Sequence, residues 1–113
     1  MATTSILIVS GDFETAQKLN ERLVKLGYHV VGIASNNKEA VARIESVQPN
    51  LIITDINLNR KGGGIKTGEL VNSSYNLPVI YLAGDIGQAV LQRAKSTDPF
   101  GYIFRSEEHT SEL

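Results

Sequence analysis

Asp55 follows the apolar run Leu51 to Thr54 (LIIT) without a break, so its carboxylate falls at the mouth of a buried strand. Folding does not require a solvated carboxylate there. Either it caps a loop or hydrogen-bonds a turn, or it has a functional role, and position alone weighs the two about evenly. Other chemistry is thinly supplied. The chain has no cysteine, which removes disulfides, thiolate catalysis and thiolate metal sites together. His29 and His109 are isolated and share no metal-ligand spacing, so both read as surface or edge residues. No serine stands in a Gly-x-Ser-x-Gly elbow. Gly62, Gly63 and Gly64 resemble a phosphate cradle only superficially. The required glycine spacing and the Lys-Ser/Thr pair are missing, and a flexible loop from Asn57 to Gly64 (NLNRKGGG) is the better reading.

The elements that must position Asp55 come from the hydrophobic pattern. Ser5 to Val9 (SILIV), His29 to Ala34 (HVVGIA), Leu51 to Thr54, Pro78 to Leu82 (PVIYL) and Gly101 to Phe104 (GYIF) are short runs rich in branched or aromatic residues, as strands covered on both faces are. Between the first two, Phe13, Ala16, Leu19, Leu23 and Leu26 recur at helical spacing, and Gly27 suits the left-handed residue past the helix end. Lys38 to Val47 predicts a second helix, with Ala40, Val41, Ile44 and Val47 inward, Asn36 or Asn37 as cap and Pro49 beyond the stop. Ile65 to Val71 and Ile86 to Ala94 are weaker. Thr67, Gly68 and Gly87 lower their helix propensity, and both segments are expected to be short or mobile.

Strands alternating with helices imply right-handed crossovers, a mainly parallel sheet and helices on both faces. Ligands of such sheets bind beyond the carboxyl ends of the strands, where the strand order reverses. Here those ends are Ser10 to Asp12, Asp55 to Asn57, Ala83 to Asp85 and Arg105 to Ser106.

At 113 residues the chain holds one domain, 1–113, and one core. A hydrophobic fraction of 42% with 20% charged residues argues against disorder and against a membrane class. With 11 basic and 12 acidic side chains the net charge is -1, so nothing in the charge balance favours direct nucleic-acid or membrane binding. No run approaches the ~20 apolar residues of a membrane span, and a cytoplasmic location is expected.

The fragments ILIV, LGYHVVG, PNLIITDINL, LPVIYLAG and FGYIFR, in this order and spacing and over nearly the whole chain, resemble the receiver domains of two-component response regulators. The resemblance implies a CheY-like, flavodoxin-like fold: a doubly wound five-stranded parallel sheet of order 2-1-3-4-5. It also implies that Asp55 accepts phosphate from a phosphohistidine on a histidine kinase or phosphotransfer protein. Receivers support this step with a magnesium ion, a lysine and a hydroxyl, because phosphoryl transfer depends on positioning and on neutralising charge. Such a domain is regulatory rather than an enzyme, although its parent chain could be a histidine kinase.

Carried over residue by residue, the pattern keeps Asp55, and Asn57 can offer its backbone carbonyl to a metal. The positions of the family's acidic pair hold Ser10 and Gly11, with Asp12 one residue later, either as a ligand or as the cap of the first helix. Magnesium held by Asp12, Asp55 and the Asn57 carbonyl is therefore expected to bind weakly or not at all. The switch hydroxyl is replaced by Ala83, and the lysine by Arg105, which can grip phosphate or form a standing ion pair with Asp55. Tyr102 matches the family's mobile aromatic. With Ala83 nothing pulls on it, and a core tyrosine with its hydroxyl at the surface is the simpler reading.

Ser106 to Leu113 supplies only about two turns, so the last helix of the family pattern reads as truncated. Either the chain is a segment of a longer sensor or regulator, or a second copy covers the exposed face as a homodimer. Two functions follow from these residues. One is a phosphoacceptor module. The alternative is a pseudo-receiver, a phosphorylation-independent interaction or dimerisation module, motivated by Ser10, Gly11 and Ala83.

Overall fold

Branched apolar runs of four to six residues bury both faces only if crossover helices cover them, and the chain alternates accordingly. The computed structural model describes residues 4–58, 63–84, 88–96 and 99–104. In chain order these form β1 (Ser5–Val9), α1 (Phe13–Lys25), β2 (His29–Ala34), α2 (Asn37–Val47), β3 (Leu51–Asp55), α3 (Gly63–Tyr75), β4 (Val79–Ala83), α4 (Gln88–Lys95) and β5 (Gly101–Phe104). The strands make one parallel sheet of order β2-β1-β3-β4-β5, the order expected from the sequence. Arg105, the truncated last helix over Ser106 to Leu113 and the start of the fourth helix at Ile86 lie outside the described residues.

The core divides by sheet face. On one side Leu7, Val9, Ile52, Val79 and Tyr81 pack with Ala40 and Ile44 of α2, Ile65 and Val71 of α3 and Ala94 of α4. On the other, Ile6, Ile8, Ile53 and Leu82 pack with Ala16 and Leu23 of α1. Of the apolar stripe expected for α1, Phe13 and Leu26, at its two ends, stay 74% and 72% exposed.

The helix ends follow local chemistry. Past α1, Gly27 at φ 96° lets its N–H reach the Val24 carbonyl and the Tyr28 N–H reach that of Leu23, the paired bonds of a Schellman motif. Asn36 caps α2 by accepting the Glu39 N–H at 2.9 Å. Glu39 in turn accepts the N–H and hydroxyl of Ser35 at 2.8 and 2.9 Å, a variant of the capping box.

The expectation of a short third helix is corrected. The helix α3 runs 13 residues and begins at Gly63, inside the stretch read as loop. Propensity is overruled by packing. A Cβ at Gly64 would overlap the Asp55 carbonyl oxygen, and one at Gly68 would overlap the Tyr81 hydroxyl. The two glycines, one turn apart, let the helix lie closer to β3 and β4 than any side chain permits.

Candidate functional site

The strand order reverses between β1 and β3, and the residues at issue gather at the carboxyl ends there. Val9 and Thr54 are register partners, so Ser10 and Asp55 come next along neighbouring strands. Asp55 pairs across β3 and β4 with Leu82, which puts Ala83 one step further on. Asp55 is 8% exposed and Ser10 3%, so the floor of the site is nearly dry.

Asp55 Oδ1 accepts the Asn57 N–H at 3.0 Å. This bond closes a tight turn after the strand and fixes the carboxylate rotamer. Among the described residues no donor is bonded to Oδ2. One oxygen is thus oriented and the other is available as a nucleophile or ligand. The turn-forming role is thus realised through Oδ1 alone.

Asp12 does not stand ready in the same way. It is the N-cap of α1: Oδ1 accepts the Glu14 N–H at 3.2 Å and Oδ2 the Thr15 hydroxyl at 2.6 Å. Ser10 is turned toward its own loop, its Oγ accepting the Asp12 N–H at 3.1 Å. Both belong to the ST- and Asx-type bonding that starts the helix.

This donor set does not fit a tightly held magnesium ion, which takes six oxygens in octahedral array and, with a single carboxylate among them, is held weakly unless phosphate joins it. Asp55 and the Asn57 carbonyl remain, Ser10 is neutral and Asp12 is committed to α1. Among the described residues no three acidic or imidazole side chains gather where they could hold a metal.

Ala83 is fully buried and offers only a methyl group. Tyr102 packs its ring on that of Tyr81, with centroids 6.1 Å apart and planes inclined at 35°. Its hydroxyl is buried rather than at the surface, which corrects the simpler expectation, and burial pushes its pKa up. Tyr81, wholly buried in β4, is the register partner of Tyr102 on β5. A shallow hollow of about 450 Å³ lies elsewhere, between Asn76, Leu77, Pro78, Pro99 and Phe100 at the amino ends of β4 and β5, and has no part in this site.

Gly64, Thr67 and Tyr81 escaped the sequence reading as neighbours of the site. The only available signal was Gly64 and Gly68 at i and i+4, which marks a helix face without side chains. Nothing local says what strand it meets.

Comparison with known proteins agrees with this geometry. A family model described as response regulator receiver domain matches residues 6–111. The transcriptional regulatory protein PdtaR of Mycobacterium tuberculosis is 27% identical over 88% of this chain, which spans 48% of that relative. The chemotaxis protein CheY of Thermotoga maritima is 27% identical over 79% of this chain and 74% of its own length. Among solved structures, the signal receiver domain of a modulated diguanylate cyclase from Desulfovibrio desulfuricans superposes with a TM-score of 0.84 at 32% identity, covering 92% of this chain and 82% of its own.

Proposed function

Because this chain belongs to the response regulator receiver domain family and so serves two-component signalling, we propose that Asp55 is its phosphoacceptor. The observation that carries this is the divided carboxylate: Oδ1 oriented by the Asn57 N–H, Oδ2 unbonded among the described residues, both at the mouth of β3. A carboxylate so held attacks phosphorus without rotating away, and orientation is most of what the protein supplies to phosphoryl transfer. Oδ2 forms the new P–O bond of an acyl phosphate. The P–N bond of the donor phosphohistidine breaks, its electron pair returns to the imidazole nitrogen, and that nitrogen takes a proton from solvent.

The donor is a histidine kinase or a phosphotransfer protein, recognised by shape because the charge balance of -1 gives no long-range pull. Arg105, next after β5, is the cation we assign to the developing phosphoryl charge in place of the family's lysine. A weakly held magnesium ion would draw on Asp55, the Asn57 carbonyl and Asp12, the last only at the expense of the α1 cap. Ala83 and Tyr102 occupy the switch positions without a hydroxyl to link them to phosphate. We further propose a regulatory rather than enzymatic role within a longer cytoplasmic protein, the chain spanning about half the length of the first curated relative it matches. Among the described residues no helix is long and apolar enough to cross a membrane.

The test is intact mass after incubation with acetyl phosphate, with and without magnesium, using Asp55→Ala as control. A phosphate-sized gain lost in the control is expected. No gain under either condition would overturn the proposal and favour the pseudo-receiver, a phosphorylation-independent interaction or homodimerisation module, for which the self-satisfied Ser10 and Asp12 would be the motive.

A further inference from the structure

We propose that in this chain the state of Asp55 is passed through α3 to α2, and not through Ala83 and Tyr102; the inference rests on Asp55 being the phosphoacceptor.

The first contact is main chain on main chain. The Asp55 carbonyl oxygen accepts the Leu58 N–H at 3.1 Å and is covered on another side by Gly64, where a Cβ would overlap it. The Gly64 N–H donates to the Ile56 carbonyl at 3.0 Å. The turn that holds the acceptor therefore abuts the first turn of α3 with no side chain between them. Close-packed contacts of this kind transmit displacement rather than absorb it.

One turn later α3 is seated on a fixed support. Gly68 lies against the hydroxyl of Tyr81, and Tyr81 is wholly buried, so the helix cannot sink toward β4. Its remaining freedom is to slide or tilt over that support. Between the two glycines, the buried Thr67 donates its hydroxyl to Asn37 Oδ1 at 2.7 Å, at the first residue of α2. At the far end Tyr75 donates to Glu45 Oε2 at 2.7 Å. The helix α3 is thus tied to α2 at two points, Thr67 in its second turn and Tyr75 at its last residue, and a shift of α3 pulls on α2.

The other route is interrupted at its first link. Ala83 cannot donate to a phosphoryl oxygen, so phosphate exerts no pull on the end of β4 through that residue. Tyr102 is already turned inward, its ring on Tyr81 and its hydroxyl buried.

The experiment is amide hydrogen exchange with and without acetyl phosphate, with intact mass on the same samples. Exchange in 63–75 and 37–47 is expected to change by about threefold or more, and in 101–104 by less. In Thr67→Val combined with Tyr75→Phe, and separately in Asn37→Ala combined with Tyr75→Phe, so that both ties are removed, the change in α3 should persist while that in α2 is lost. A response in β5 with none in α3, or an α2 response unchanged in both variants, would overturn the inference with the phosphoacceptor reading intact. Absence of phosphate on Asp55 by mass would overturn that reading itself and this inference with it.

Discussion

Thr15 donates its hydroxyl to Asp12 Oδ2 at 2.6 Å, so the one carboxylate near the place of the family's acidic pair is spent on starting α1. With the Glu14 N–H on Oδ1, both oxygens serve the helix. Asp12→Ala is therefore expected to lower unfolding stability by about 1 kcal/mol, and Asp12→Asn by only a few tenths, because asparagine caps nearly as well. Urea midpoints of the two variants check this. Equal losses would mean the charge and not the cap matters.

A full acidic pair should strengthen magnesium binding. A Cβ at Gly11 would have the Ser35 carbonyl as its nearest neighbour at 3.6 Å, so a side chain fits there without displacing anything. The double variant Ser10→Asp, Gly11→Asp is expected to raise magnesium affinity at least about tenfold, since affinity follows the number of carboxylates. Titration followed by the amide shifts of Asp55 and Asn57 measures it; an unchanged affinity would show that carboxylates at these two positions do not reach the ion.

Gly64 and Gly68 differ in what opposes a side chain, and their variants should differ in remedy. Gly64→Ala meets backbone, which cannot step aside, and is expected to cost about 3 kcal/mol or more. Gly68→Ala meets a tyrosine hydroxyl, and combining it with Tyr81→Phe should recover part of a loss of about 1–3 kcal/mol. A double-mutant cycle gives the coupling energy. Strict additivity would show that the two residues do not press on each other.

Two hydrogen bonds should be visible in the pH dependence of stability. The Ser35 N–H and hydroxyl hold the Glu39 carboxyl below its usual 4.5. A depressed carboxylate contributes stability above that value, and the contribution is lost as pH falls through the lower folded pKa. Glu39→Gln should flatten that part of the acid limb. At the other end, the bond to Glu45 pushes Tyr75 above its usual 10.0, so its contribution is present below 10.0 and lost as pH rises through the folded value. Tyr75→Phe should be less sensitive to pH above 10.0 than the unaltered chain. Parallel profiles for variant and parent would refute either assignment.

The strands were legible because apolar runs of this length leave few alternatives, and their order followed from the five-fragment resemblance. Gly27, and the cap of α2 to within Asn36 or Asn37, were legible because capping is local: the side chain and the backbone it serves lie within a turn of each other. The helix α3 was not. Propensity read Gly63, Gly64 and Gly68 as breakers, and only the proximity of the Asp55 carbonyl and the Tyr81 hydroxyl, 9 and 13 residues away in the chain from Gly64 and Gly68, turns them into packing residues. The site divides the same way.

By itself the sequence determined that Asp55 ends a buried strand, that Ser10 and Gly11 bring no charge beside it, and that Ala83 brings no hydroxyl, since these are matters of residue type and alternation. The tertiary structure decided which oxygen of Asp55 is held, that Asp12 serves α1, that the Tyr102 hydroxyl is buried, and that α3 rests on the acceptor's own backbone. The first two are contacts within three residues, for which the sequence left two roles open; the last two depend on which atoms the crossovers bring within van der Waals reach, and no local pattern carries that information.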